Sequence, residues 1–508
     1  MSSHSTLASA TIHSIHQASG LTASEPSSEA NSEPSSEPSS DRDQKAERET
    51  QRLWEIDKKH AIHPWVHFSS FEEEGSTIIE RGEGAYVFDS RGRRYLDGIA
   101  GLWCVNIGHG RQEMAEAIAE QAAKLAYFST FCELSNPPLA ELSAKLCELT
   151  PDHLNHVYLA SSGSAANDTA IRTIHNYFNR RGEFRKKKII SRAQAYHGTS
   201  YITMSLGGKP EDRDGFDFEE EMIQHVSVPD CYRRPEGSSE EEFCDQLVEE
   251  LDAMIQRLGP DNVAAFFAEP VLGAGGVIVP PKGYHKRTQE VCRRYGVLTV
   301  SDEVVTGFGR LGHFFASESL FDLRPDIITS AKGISSGYIP LSATFISDEI
   351  YEVIAHAEKD SVYSHGYTYT GHPVACAAGL KNIEIMERED LCGHVRKLGP
   401  YFEERLATLS DLPIVGDVRG SHFMLCIENV ANKQTRELLP EEANIGKRIA
   451  VAAQQRGLMV RPCGHLNILS PPLILTRDEI DATVAILRDS IEATMVGLER
   501  DGYWKESA

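Results

Sequence analysis

Three short apolar runs in this chain end in polar residues of different kinds. Residues 264–268 run into Glu269, residues 297–301 into Asp302, and residues 327–331 into Lys332. Further runs stand at 157–160, 188–191 and 341–346, with helix-like stretches between them. Segments this short that are apolar throughout read as strands buried on both faces. Strands that alternate with helices imply a largely parallel sheet with helices on both sides, because a parallel pair needs a crossover. In such a sheet the carboxyl ends of the strands share one edge, and ligands bind there. Glu269, Asp302 and Lys332 are therefore expected to line one edge of one sheet. Each alone reads as a strand ending in a charge to meet water; all three together, with glycines following, favour a site.

The chain of 508 residues predicts two or three domains. Residues 1–45 differ from the rest in kind. Ser24 to Asp41 reads SEPSSEANSEPSSEPSSD, in which Pro26, Pro34 and Pro38 forbid a helix. So acidic and Ser/Pro-rich a segment cannot offset its ordering entropy, and it reads as a disordered tail. It has neither the basic, apolar-cored pattern of a signal peptide nor the low acidity of a transit peptide. From Ala46 onward the pattern is globular. Residues 46–60 read as a helix, and 84–89 with 94–97 as a hairpin around Ser90-Arg91-Gly92. We expect 46–104 to contribute to a smaller α+β domain, 105–369 to form the large domain, and 370–508 to complete the small one. Residues 479–498 read as an amphipathic closing helix.

A net charge of −24 argues against nucleic acid or an anionic membrane as the main partner. No apolar run approaches the ~20 residues of a membrane span. The ten cysteines include no C-x-x-C pair, so they read as reduced thiols of a cytoplasmic protein rather than disulfides or a metal site.

Two further motifs accompany the strand ends. Ser161-Ser162-Gly163-Ser164-Ala165-Ala166-Asn167 follows the strand at 157–160 and opens a helix. Free amides at a helix start favour an anion, and small residues let a phosphate approach; the plainer reading is a capping serine and a turn glycine. Tyr196-His197-Gly198-Thr199 lies just past the strand at 188–191, where an aromatic ring could stack on a flat heterocycle or simply belong to the core. An enzyme of pyridoxal 5′-phosphate (PLP) needs an amine to hold the aldehyde and a carboxylate at the pyridine nitrogen. It also needs a phosphate cradle and a group on the ring face. Lys332, Asp302, Gly163-Ser164 and Tyr196 match these needs in that order.

The stretch Ser301-Asp302-Glu303-Val304-Val305-Thr306-Gly307-Phe308-Gly309-Arg310, with Ser330-Ala331-Lys332-Gly333 after it, resembles the signature of class III (omega) aminotransferases. Leu102-Trp103-Cys104-Val105-Asn106, Gly273-Ala274-Gly275-Gly276 and Thr368-Tyr369-Thr370-Gly371-His372-Pro373 extend the resemblance, which runs from about Gln51 to the C-terminus. The chain is most similar to the omega-amino acid/amine:pyruvate branch. The resemblance implies an α/β fold of type I, aspartate aminotransferase-like. It also implies ping-pong transfer of an amino group from an omega-amino acid or amine to a keto acid, pyruvate by family analogy. In role, Lys332 is similar to the cofactor lysine, Asp302 to the pyridine-nitrogen partner, and Val304 to the aliphatic residue beneath the ring. Tyr196 is similar to the stacking aromatic, Glu269 to the acid beside the cofactor, and Gly163 and Ser164 to the phosphate turn. Thr368 resembles the threonine that reaches the neighbouring subunit's phosphate, which implies a homodimer, or a tetramer built on one. Trp103 resembles the active-site tryptophan of the branch. Arg461 resembles the mobile arginine that pairs with an acceptor carboxylate. One departure stands out: Ala165 occupies the place of the family's glutamate. Competing readings are another class III activity, such as an aminomutase or decarboxylating transaminase, and a non-catalytic PLP-binding protein. The last would be expected to lose the lysine or the acid.

Overall fold

The computed structural model describes residues 40–356 and 362–505. Residues 1–39, which hold most of the expected tail, lie outside the described residues. The first helix, Ser40–His60, begins before the Ala46 boundary expected from the sequence. Gln44, Lys45, Ala46 and Glu47 are good helix formers and lie past the last proline of the tail, so the helix extends through them.

The largest sheet has seven strands. In spatial order they are His156–Ala160, Ser342–Ile346, Ile327–Ser330, Leu298–Asp302, Val263–Ala268, Lys188–Arg192 and Ile223–Val226. Ser342–Ile346 runs antiparallel to both neighbours, and every other pairing is parallel. Reversal of that single strand leaves the other six pointing the same way, so their carboxyl ends share one edge. The sequence marked six of these strands but not Ile223–Val226. In that edge strand only the outer two residues are buried, and Gln224 and His225 interrupt the apolar run.

Alternate side chains of the sheet enter two cores. Ile189, Ala265 and Phe267 pack with Ile174 and Tyr177 of the helix Gly163–Arg180. Ile190, Phe266 and Ala268 pack on the other face with Leu251 and Ile255 of Glu240–Leu258 and with Val291 of Tyr284–Arg294. All residues of Val263–Ala268 and Leu298–Asp302 are buried, which is why these strands read as unbroken apolar runs.

Two four-stranded sheets complete the molecule. Tyr86–Asp89 and Arg94–Asp97 form the expected hairpin, and Asp89 accepts the Arg91 and Arg93 amides to shape its turn. Arg94–Asp97 also pairs in parallel with the C-terminal Leu458–Met459, so the N-terminal meander is tied to the last third of the chain. The other sheet orders Val415–Ser421, Met424–Asn429, Leu466–Leu469 and Arg461–Cys463. The closing helix is Arg477–Arg500, fixed at its start by a reciprocal cap between Thr476 and Glu479.

Candidate active site

Glu269, Asp302 and Lys332 follow three neighbouring strands of the large sheet. Asp302 is the most elaborately held. Its Oδ2 accepts hydrogen bonds from His197 Nδ1 at 2.7 Å and Asn167 Nδ2 at 2.8 Å, and its Oδ1 accepts the Val304 amide at 3.0 Å. Burial pushes the carboxyl pKa up, but His197, the Val304 amide and Asn167 outweigh it and hold the group below its ordinary value. Asn167 is itself oriented, since Thr329 Oγ1 donates to its Oδ1 at 2.7 Å. Sequence reasoning assigned no role to His197 or Asn167. Both lie inside the two quoted motifs, and a histidine and an amide next to a phosphate turn and a stacking aromatic were the available signal.

Lys332 opens a short 3-10 turn, Lys332–Ile334, with φ of 48°. It is half-buried, and desolvation lowers the pKa of its amine against the opposing pull of Cys104, Asp302 and Glu269. No hydrogen bond or ion pair holds its Nζ among the described residues. Glu269 is turned the other way: burial raises its pKa, although its carboxylate accepts the Gly273 amide at 2.7 Å and the Tyr196 amide at 3.2 Å. Trp103 is 4% exposed with φ of 64°. A Cβ on Gly273 would lie 3.4 Å from the Trp103 ring and 3.5 Å from Glu269 Oε2, which places Gly273 beside both groups.

At the start of Gly163–Arg180, Ser162 is the cap, its Oγ accepting the Ala165 amide at 3.1 Å. The amides of Gly163 and Ser164 have no partner among the described residues. The plainer reading of the motif and the anion reading are thus both satisfied, by different residues. A Cβ on Gly163 would stand 3.1 Å from a Val304 methyl, which seats Val304 against this turn. Gly198, at φ of 125°, allows Ser164 Oγ to accept the Thr199 amide at 3.1 Å.

Arg461 lies at the edge of its sheet, half-buried, and its charge depresses the pKa of Lys332 and opposes the burial-driven rise at Tyr196. Its side chain makes no ion pair or hydrogen bond among the described residues. No hydrogen bond among the described residues joins Thr368 to the other predicted residues, although its neighbour Tyr367 donates to the Ala165 carbonyl at 3.4 Å. Thr368 is exposed on the 362–372 segment, its carbonyl accepting from Tyr127 at 2.7 Å.

The model of the family described as aminotransferase class-III matches residues 69–491. The chain belongs to the class III aminotransferases. It is 37% identical to the putrescine–pyruvate aminotransferase of Pseudomonas aeruginosa over 445 residues, 87% of this chain and 96% of that protein. A thermostable (S)-enantioselective omega-transaminase from Thermomicrobium roseum is 42% identical with a TM-score of 0.86, covering 88% of this chain and 99% of that one. The omega transaminase of Pseudomonas jessenii, solved with PMP, is 37% identical with a TM-score of 0.86 and the same coverage. This class III enzyme is a PLP-dependent aminotransferase with the type I fold. No helix among the described residues is long and apolar enough to cross a membrane.

Proposed function

We propose that the enzyme transfers the amino group of an omega-amino acid or amine to pyruvate, with Lys332 holding PLP covalently. One observation carries the assignment of roles. Next-door strand ends present a carboxyl held below its ordinary pKa, Asp302, and an amine held below its own, Lys332. A carboxyl biased toward its charged form beside an amine biased toward its neutral form is the pair this chemistry needs, because environments that push titratable groups apart assign their roles. The remaining residues fit the cofactor: unpartnered amides at Gly163 and Ser164 suit a phosphate, and Val304 packs against that same turn.

Bound there, PLP supplies an electron sink conjugated to the carbon that bears the substrate's amino group. Asp302 would hold a proton at the pyridine nitrogen, and Tyr196 and Val304 would pack against the ring. Lys332 would hold the cofactor through its amine and, once free, would move the proton at that carbon. Arg461 binds the acceptor carboxylate with its unpaired guanidinium. Trp103 and Glu269 bound the substrate side, and Glu269 fixes the Tyr196 and Gly273 amides. The enzyme is read as a homodimer in which Thr368 serves the partner's phosphate. Ten unbridged thiols support a reducing cytoplasm as its place.

The test is a screen of β-alanine, taurine, diamines and arylalkylamines against pyruvate and 2-oxoglutarate. Turnover with pyruvate at least tenfold above 2-oxoglutarate is expected. Preference for 2-oxoglutarate would overturn the acceptor.

A further inference from the structure

The turn that carries Lys332 is costly to maintain. Lys332 and Ser336 both have φ of 48°, and L residues rarely adopt such angles. Two of the turn's own hydrogen bonds are long: Ser335 N to Lys332 O is 3.4 Å and Ser336 N to Gly333 O is 3.3 Å, against 3.1 Å for Ile334 N to Ala331 O. Such a segment persists only when its surroundings over-determine it.

A single side chain from outside the sheet does much of this. Asn382 lies in the middle of the helix Pro373–Arg388 and is fully buried. Its Nδ2 donates to Gly333 O at 2.9 Å and to Ile334 O at 3.1 Å. Its Oδ1 accepts from Ser336 Oγ at 2.6 Å, and Ser336 Oγ in turn accepts the Ile107 amide at 3.2 Å. From the opposite side Asn106 closes on Gly333, where a Cβ would stand 2.3 Å from Asn106 Nδ2. Asparagine is a poor choice inside a helix, and a buried amide is costly unless satisfied. Here both ends of the amide are spent on the four residues that follow the lysine.

We propose that Asn382 is a positioning residue for Lys332: it fixes the strained turn so that the Lys332 amine stays aimed into the cofactor site. The inference rests on the reading of Lys332 as the cofactor lysine. Asn382 itself touches neither substrate nor cofactor. Removing its amide frees two buried carbonyls and lets the turn relax toward ordinary angles, which carries Nζ off its line. Asn382→Asp keeps the acceptor for Ser336 and loses the two donors, so it separates the halves of the clamp.

The test uses full-length protein stripped of cofactor and mixed with PLP. The bound cofactor is fixed by borohydride reduction and located by peptide mass spectrometry, while its attachment is followed by visible absorbance across pH. Wild type should carry the label on Lys332. A label on any other residue overturns the reading of the site itself. Asn382→Ala and Asn382→Asp should attach the cofactor at least tenfold more slowly, with the pH midpoint of the visible band displaced. Ser336→Ala should slow attachment about threefold, and this milder variant decides the matter should the Asn382 variants not fold. Ile383→Val, a neighbouring core change, serves as the control for lost stability. If Asn382→Ala or Ser336→Ala lowers the melting temperature as Ile383→Val does but attaches PLP at the wild-type rate and pH, Asn382 is only core packing and the proposal is overturned.

Discussion

The role proposed for Lys332 comes at a cost in stability. Without cofactor, its folded-state pKa lies below that of an ordinary lysine because burial penalises the charged amine. Between those two values the unfolded chain binds more protons than the folded one, so stability rises with pH across that window. Below the window the burial cost applies in full, and above it the amine is neutral in both states and the cost vanishes. Lys332→Met should therefore abolish turnover and the visible band, yet stabilise the cofactor-free protein near neutrality by about 1–3 kcal/mol, the range for a buried unsatisfied polar group. Its melting temperature should rise less with alkaline pH than that of wild type. Calorimetry of the stripped proteins from pH 6 to 10 measures both, and a variant less stable than wild type throughout would refute the account. Arg461 is expected to act on one half-reaction only. Its guanidinium is unpaired, and a carboxylate gains two parallel hydrogen bonds from it, whereas an amine with an uncharged tail gains nothing. Arg461→Ala should cost roughly 1.5–3 kcal/mol in the pyruvate half-reaction, the range for hydrogen bonds to a charged group, and far less in the other. Stopped-flow absorbance separates the two, and equal losses would mean that Arg461 supports the fold.

At the scale of elements, the sheet was legible because burial on both faces writes an unbroken apolar run. Val263–Ala268 and Leu298–Asp302 are buried throughout, and their positions read directly from composition. Ile223–Val226 was not legible because an edge strand is half wet. Nor was the reversed direction of Ser342–Ile346, since an apolar pentapeptide carries no sign of its sense. In the site, the residues at strand ends were readable, while the ones that orient them were not. Asn167 and Asn382 are buried polar residues on the packed faces of their helices, and only their partners on distant strands and turns give them meaning. The phosphate turn offers a prediction at this scale. Gly198 has φ of 125°, and a Cβ there would lie 2.3 Å from Ser164 Oγ. Alanine would both strain the backbone and drive Ser164 from the Thr199 amide, loosening two elements that would then be joined there by the Asn167–His197 carbonyl hydrogen bond. Gly198→Ala should weaken PLP binding about tenfold or more, about 1.4 kcal/mol per decade, while Gly182→Ala, whose Cβ would meet nothing within 4 Å, should not. Equilibrium titration with PLP compares them, and equal affinities would remove the steric argument.

The whole molecule presents an apolar surface that a monomer has no use for. Tyr127, Phe128, Phe131 and Leu134 are 37–54% exposed along one segment, and Tyr369 is 60% exposed on the segment that carries Thr368. The two segments are joined into one face. The Tyr127 and Tyr369 rings lie 5.8 Å apart, Thr130 donates to the Thr370 carbonyl at 2.8 Å, and a Cβ on Gly366 would stand 2.9 Å from Phe131. A contiguous aromatic patch of this kind marks an interaction surface. The proposed homodimer would cover it and bring Thr368 to the partner's phosphate site. The same fold then makes cofactor retention depend on association, because part of each phosphate site would come from the other chain. Phe128→Asp, placed on the most exposed ring of the first segment, should bury a charge in the interface and turn the enzyme monomeric at micromolar concentration. PLP affinity should fall at least tenfold with it, although Asp302, Lys332 and the Gly163 turn are untouched. Sedimentation velocity and PLP titration over a dilution series measure the two together. Affinity that stays constant as the variant dissociates would show that each chain builds its phosphate site alone, and Thr368 would lose its assigned role.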